Sequence, residues 1–158
     1  MIKPYNRINA VNYAKKWALD RNPKYYNFDN LGGDCTNFVS QSIYAGSGVM
    51  NFNQNGWFYS SLSSRAPAWT GVSFLHDFLL SNKGVGPFGI RVELNQVDVG
   101  DVIFLEKPNS DLFHTLIVSK IINNEIFVCS HTRNALDMPL NYFSFSKTHC
   151  IHIEGVRT

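Results

Sequence analysis

Three side chains have the types and positions that cysteine hydrolysis requires: Cys35, His114 and His131. Cys35 follows Gly32-Gly33-Asp34 and opens the segment Cys-Thr-Asn-Phe-Val-Ser-Gln-Ser-Ile-Tyr-Ala-Gly, whose Phe38, Val39 and Ile43 share one helical face. Asp34 is a good N-cap, with its carboxylate expected on the first backbone N–H groups of the helix, and it is also a candidate for substrate contact, although a negative charge beside Cys35 would oppose the thiolate. A thiol there feels the positive end of the helix dipole, which favours thiolate over thiol. The same N–H groups can hold the oxyanion of a tetrahedral intermediate. The two glycines would let a substrate backbone approach.

A cysteine nucleophile needs a base, and the base needs an orienting group. His114 opens the apolar run His-Thr-Leu-Ile-Val, and His131 closes the run Ile-Phe-Val-Cys-Ser-His. Paired through Asn123-Asn124-Glu125, the two runs make a hairpin that brings both histidines to one end of a sheet. Cys35 then completes a Cys–His–His set. In it His114 moves the proton and His131 fixes its tautomer, provided the register does not slip.

The elements that position these residues follow from periodicity. Residues 7–21 have helical spacing at Ile8, Val11, Ala14, Trp17 and Ala18, with Asn22-Pro23 as the stop. The cysteine helix ends at Gly46 or Gly48. Residues 50–68 read as irregular, and Trp69–Leu80 as a helix with Val72, Leu75, Phe78 and Leu79 inward. Strands are expected at 101–105, 115–119 and 126–130, with a last one at 150–156. Helices followed by an antiparallel sheet give an α+β class.

Composition bounds the rest. The 158 residues fit a single domain, 1–158. Charged residues are 16% and aromatics 14%, which excludes a disordered chain. A net charge of +2 with no Lys/Arg run gives no argument for nucleic acid. No apolar stretch is long enough to span a membrane, and the N-terminus has no signal-peptide core as written. Three cysteines in no paired pattern imply no disulfide framework, and Cys129 and Cys150 read as packed thiols in strands. Oligomeric state is not legible.

Other side chains are weighed against plain structural roles. Trp69, with Trp57 and the aromatics between them, is a candidate cleft wall. Asn37 and Gln41 read as structural. His149 and His152 flank Cys150 but lack the carboxylates or third spaced ligand of a metal site. No metal or organic cofactor is needed. Two other readings remain: a zinc hydrolase built on His114, His131 and a cysteine or aspartate, and a binding module without turnover.

Several blocks carry a family resemblance: Asn-Arg-x-x-Ala-Val-x-Tyr-Ala-x-x-Trp-Ala at 6–18, Asn-Pro-x-Tyr at 22–25, Gly-Gly-Asp-Cys-Thr-Asn-Phe-Val-Ser-Gln at 32–41, Gly-Asp-Val-Ile at 100–103, His-Thr-Leu-Ile-Val at 114–118 and His-Thr at 131–132. Together they are similar to the putative amidase domain family, grouped with the NlpC/P60 and CHAP papain-like cysteine hydrolases. The resemblance implies a papain-like fold and cleavage of amide bonds, commonly in bacterial peptidoglycan. It matches Cys35 to the nucleophile, His114 to the base and His131 to the third polar member. It also implies a tyrosine that assists the oxyanion, for which Tyr25 and Tyr26 are both placed. Where the family carries an acidic residue after His-Thr, this chain has Arg133-Asn134, which makes Asn134 a substrate-contact candidate.

Overall fold

A computed structural model describes residues 1–158. Four helices pack on one face of a mixed-length, wholly antiparallel sheet, so the class is α+β. The helices are α1 (Arg7–Trp17), α2 (Cys35–Ser47), α3 (Pro67–Thr70) and α4 (Val72–Ser81). The strands are β1 (Ile2–Lys3), β2 (Tyr59–Ser61), β3 (Ser64–Arg65), β4 (Gly86–Val92), β5 (Val102–Glu106), β6 (Leu112–Ile122), β7 (Glu125–Ser130), β8 (Ala135–Pro139) and β9 (Lys147–Arg157). The main sheet runs β1-β9-β5-β6-β7-β8, with β4 also on β9, while β2 and β3 form a separate ribbon.

Alternation along the strands splits the core in two. Val102, Phe104, Ile117, Cys129, Ile151 and Ile153 face the helices. Ile103, Leu105, Leu116, Val118, Val128 and Cys150 face the opposite side, covered by Leu140 and Phe143. Along α1 and its C-cap, Ala10, Ala14 and Ala18 form a fully buried small-residue stripe. That stripe lets α2 come close enough that a Cβ on Gly46 would stand 2.6 Å from the Tyr5 ring and 3.1 Å from Ala10 Cβ. The β6–β7 turn uses Asn123 and Asn124 at φ of 50° and 65°, left-handed conformations that asparagine tolerates.

Asp101 is the polar hub of this framework. Its buried carboxylate accepts from Arg7 (2.7 Å), His152 Nδ1 (2.7 Å) and the Ile153 and Asp98 N–H groups (3.0 and 2.8 Å).

Several elements differ from the sequence expectation. The first helix ends at Trp17, four residues early. The expected 69–80 helix is two helices, broken at Gly71, whose backbone is extended (ψ 129°). Within 50–68 lie the β2–β3 ribbon and the start of α3. β4 and β8 escape a pattern search because Gly86, Pro87 and Gly89 interrupt the first, and Asp137, at φ 48°, distorts the second. β1 also precedes the helices, and β2 and β3 lie between α2 and α3.

Candidate active site

Cys35 is the first residue of α2 and is buried. The turn before it depends on Gly32 and Gly33, at φ of 87° and 97°, a backbone that side-chain-bearing residues rarely adopt. A Cβ on Gly33 would press on Thr132 Oγ1 at 3.1 Å. The glycines therefore shape the turn and seat it against the loop after β7. Thr132 Oγ1 in turn accepts the Asp34 N–H at 2.9 Å.

Asp34 occupies the N-cap position of α2, yet its side chain makes no cap hydrogen bond. This corrects the expectation that it covers the helix amides. Its Oδ1 instead accepts the Phe28 N–H (2.8 Å) and Asn37 Nδ2 (2.9 Å), and its Oδ2 lies 2.6 Å from His131 Nδ1. The Arg21 guanidinium stands 3.8 Å from Oδ2. The first intrahelical bond runs from the Phe38 N–H to the Asp34 carbonyl. The N–H groups of Cys35, Thr36 and Asn37 thus precede the helical ladder and are left uncapped.

His131 is buried, and both its nitrogens are engaged: Nδ1 with Asp34, Nε2 with the Trp17 carbonyl at 2.7 Å. Its ring stacks on Phe38, centroid to centroid 4.0 Å. It does not hold His114, and the expected relay through it is corrected accordingly. Trp17 ends α1, so this one imidazole ties α1 to the start of α2.

His114 and His131 do reach the same end of the sheet, but on opposite faces. His114 pairs with Leu105, in the layer away from the helices, and its ring lies 5.8 Å from that of Phe143 and 6.3 Å from that of Phe113. The next residue, Thr115, is the one facing α2, with Oγ1 2.8 Å from Thr36 Oγ1. Ile117 pairs with Cys129, and that register carried to the strand end sets Thr115, not His114, level with His131. His114 Nε2 is buried with no partner. Burial, helped by the Arg133 charge, pushes this imidazole down to about 4, so it is neutral at pH 7. The polar side chain within hydrogen-bond range of Cys35 Sγ is Thr36 Oγ1, at 3.8 Å.

The remaining expected residues fall in different places. Trp69 is a core residue rather than a cleft wall. It is fully buried, its Nε1 donates to Asn37 Oδ1 (3.0 Å), and it packs against Trp57 at 4.8 Å. Tyr25 lies over Trp69 at 6.1 Å, and burial pushes its phenol up to about 12. Tyr26 is more open; its carbonyl accepts from Asn37 Nδ2 (3.0 Å) and its N–H donates to the Tyr59 hydroxyl (2.8 Å). Asn134 is exposed and accepts from Arg21 Nη2 (2.9 Å). Asn37 and Gln41 are structural, the latter accepting from the Tyr13 hydroxyl.

Two contributors have no sequence signal of their own. Arg21 grips Asp29 with two bonds of 3.0 Å and reaches Asp34 and Asn134. Phe28 supplies a backbone N–H, which no side-chain pattern reveals. His149 bonds Glu106 (2.8 Å) and His152 bonds Asp101, and no group of three or more His, Cys, Asp or Glu is arranged to hold a metal ion.

Comparison with known proteins adds a family. The model described as "Putative amidase domain" matches residues 4–154. Two Bacillus subtilis (strain 168) proteins are similar to the chain. "Uncharacterized protein YhbB" is 34% identical over 147 residues, covering 89% of this chain and 45% of the relative. "Uncharacterized protein YjcM" is 26% identical over 164 residues, covering 99% and 38%. The chain thus spans less than half the length of these relatives. No solved structure matches.

Proposed function

Because the chain belongs to the putative amidase domain family, we propose that it is a cysteine-dependent hydrolase of amide bonds, with Cys35 as nucleophile and bacterial peptidoglycan peptides as the substrate class. One observation carries the mechanism: Cys35 opens α2 while the cap residue spends its carboxylate elsewhere, so Sγ and uncapped amides share one turn. The wall substrate rests on the likeness to papain-like peptidoglycan hydrolases. A helix-borne cysteine packed on an antiparallel sheet suits that fold.

In the reaction, Cys35 Sγ attacks the amide carbonyl carbon as its proton passes to an imidazole. The oxyanion sits on the free N–H groups of the α2 start. The C–N bond breaks, the amine leaves with the proton, and a thioester remains. Water, deprotonated by the same imidazole, then releases the acid and the thiol. His114 is the imidazole for this task, since it is neutral and its Nε2 is unpartnered. His114 faces Phe143 on the sheet face away from α2, so reaching Cys35 requires the start of β6 itself to turn over, beside the ladder irregularity between Leu105 and Glu106.

The test is the release of new amino groups from purified peptidoglycan, with fragments identified by mass spectrometry. The wild-type protein should release them, and Cys35→Ser should abolish the release. Hydrolysis retained by that variant, or none by the wild type, refutes the reading.

A further inference from the structure

The withdrawn cap has a cause in the structure. Asp34 is placed to cover the first turn of α2, as aspartate at an N-cap ordinarily does. His131 draws Oδ2 away at 2.6 Å, while the Phe28 N–H and Asn37 Nδ2 hold Oδ1. The Trp17 carbonyl can only accept, so His131 Nε2 carries a hydrogen, and Nδ1 faces a carboxylate. The imidazole is thus held between the Asp34 carboxylate and the Trp17 carbonyl and stacked on Phe38, one turn along α2 from Cys35.

We propose that Asp34 and His131 are a positioning pair, in which His131 holds the Asp34 carboxylate off the helix amides so that the start of α2 keeps its positive character for Cys35 and for the oxyanion. The proposal rests on the reading of Cys35 as nucleophile. Neither residue touches substrate; each acts through α2. If His131 no longer donates, Oδ2 is free to fold onto the Thr36 and Asn37 N–H groups. A carboxylate there neutralises the dipole end and disfavours the thiolate, and loss of the donor imidazole acts in the same direction.

The experiment is iodoacetamide labelling of Cys35 at pH 7, read by peptide mass spectrometry in folded protein, and it needs no amide substrate. His131→Phe keeps the ring stack but cannot donate, and its labelling rate should fall about tenfold, the order of one helix-end charge interaction. His131→Gln restores a side-chain N–H and should label near the wild-type rate, which a merely structural role would not predict. In the wild-type protein, proton NMR should show ring N–H resonances for both nitrogens of His131, assigned by their loss in His131→Gln. Absence of the Nδ1 resonance overturns the proposal even if His131→Phe does not fold. Wild-type labelling at a free thiol's rate would sink the Cys35 reading itself. Fast wild-type labelling with an equally fast His131→Phe would sink only the positioning pair.

Discussion

The burial of His114 as a neutral imidazole makes folding sensitive to mild acid in a way that can be isolated. The group sits at about 4 in the folded chain, against an ordinary value of 6.5 in the unfolded one. Above 6.5 it is neutral in both states and contributes nothing to pH dependence. Below 6.5 the unfolded chain takes up a proton that the folded chain refuses, so stability falls with pH until about 4, where the folded form also binds it. At 1.36 kcal/mol per pH unit the full span is about 3 kcal/mol, of which about 2 kcal/mol is lost between pH 7 and pH 5. The perturbation is His114→Phe, which places an aromatic ring between Phe113 and Phe143 and removes the titrating group. Urea unfolding at pH 7 and pH 5 gives the comparison. Wild type should lose about 2 kcal/mol more than the variant over that interval. An equal loss in both proteins would refute the account of His114 as a desolvated neutral base.

Two further outcomes follow from the framework. Asp101→Asn leaves the Arg7 guanidinium without its buried counter-charge and should cost about 3–5 kcal/mol in urea unfolding; a change below 1 kcal/mol would show that the hub is solvated. Gly46→Ala puts a methyl group against Tyr5 and the Asn6 carbonyl and should destabilise by about 1–3 kcal/mol, a loss visible as a lower melting temperature; no loss would mean that α1 and α2 can part without penalty.

The cysteine helix was legible because its signals are local: two glycines at left-handed φ, a short polar residue, then an apolar face ending at Gly48, which is itself left-handed at φ 74°. The β6–β7 hairpin was legible for the same reason, through Asn123-Asn124. What a sequence pattern cannot supply is the face of a strand residue near an irregular ladder. A one-residue slip inverts inside and outside, and shifts occur between Leu105 and Glu106 on β5 and between Val118 and Lys120 on β6. So both histidines could be brought to one sheet end by inference, while their separation onto two faces could not. Asp34 shows a second limit. Its local chemistry says cap, and only the distant His131, Phe28 and Arg21 redirect it. Trp69 shows a third, since an aromatic among glycines and serines reads like a cleft residue until the buried Asn37 amide and Trp57 beside it are known.

The Thr36–Thr115 hydroxyl pair has a further consequence. Apolar helix–sheet contacts tolerate sliding, because one methyl group replaces another at little cost. A bond between two hydroxyls deep in the interior has both a length and a direction, and displacement along the helix axis breaks it with no water to compensate. The pair therefore acts as a detent on axial travel, setting the height of the sulfur one residue away above the strand, so that replacing both threonines by valine should leave the packing intact while letting that height drift.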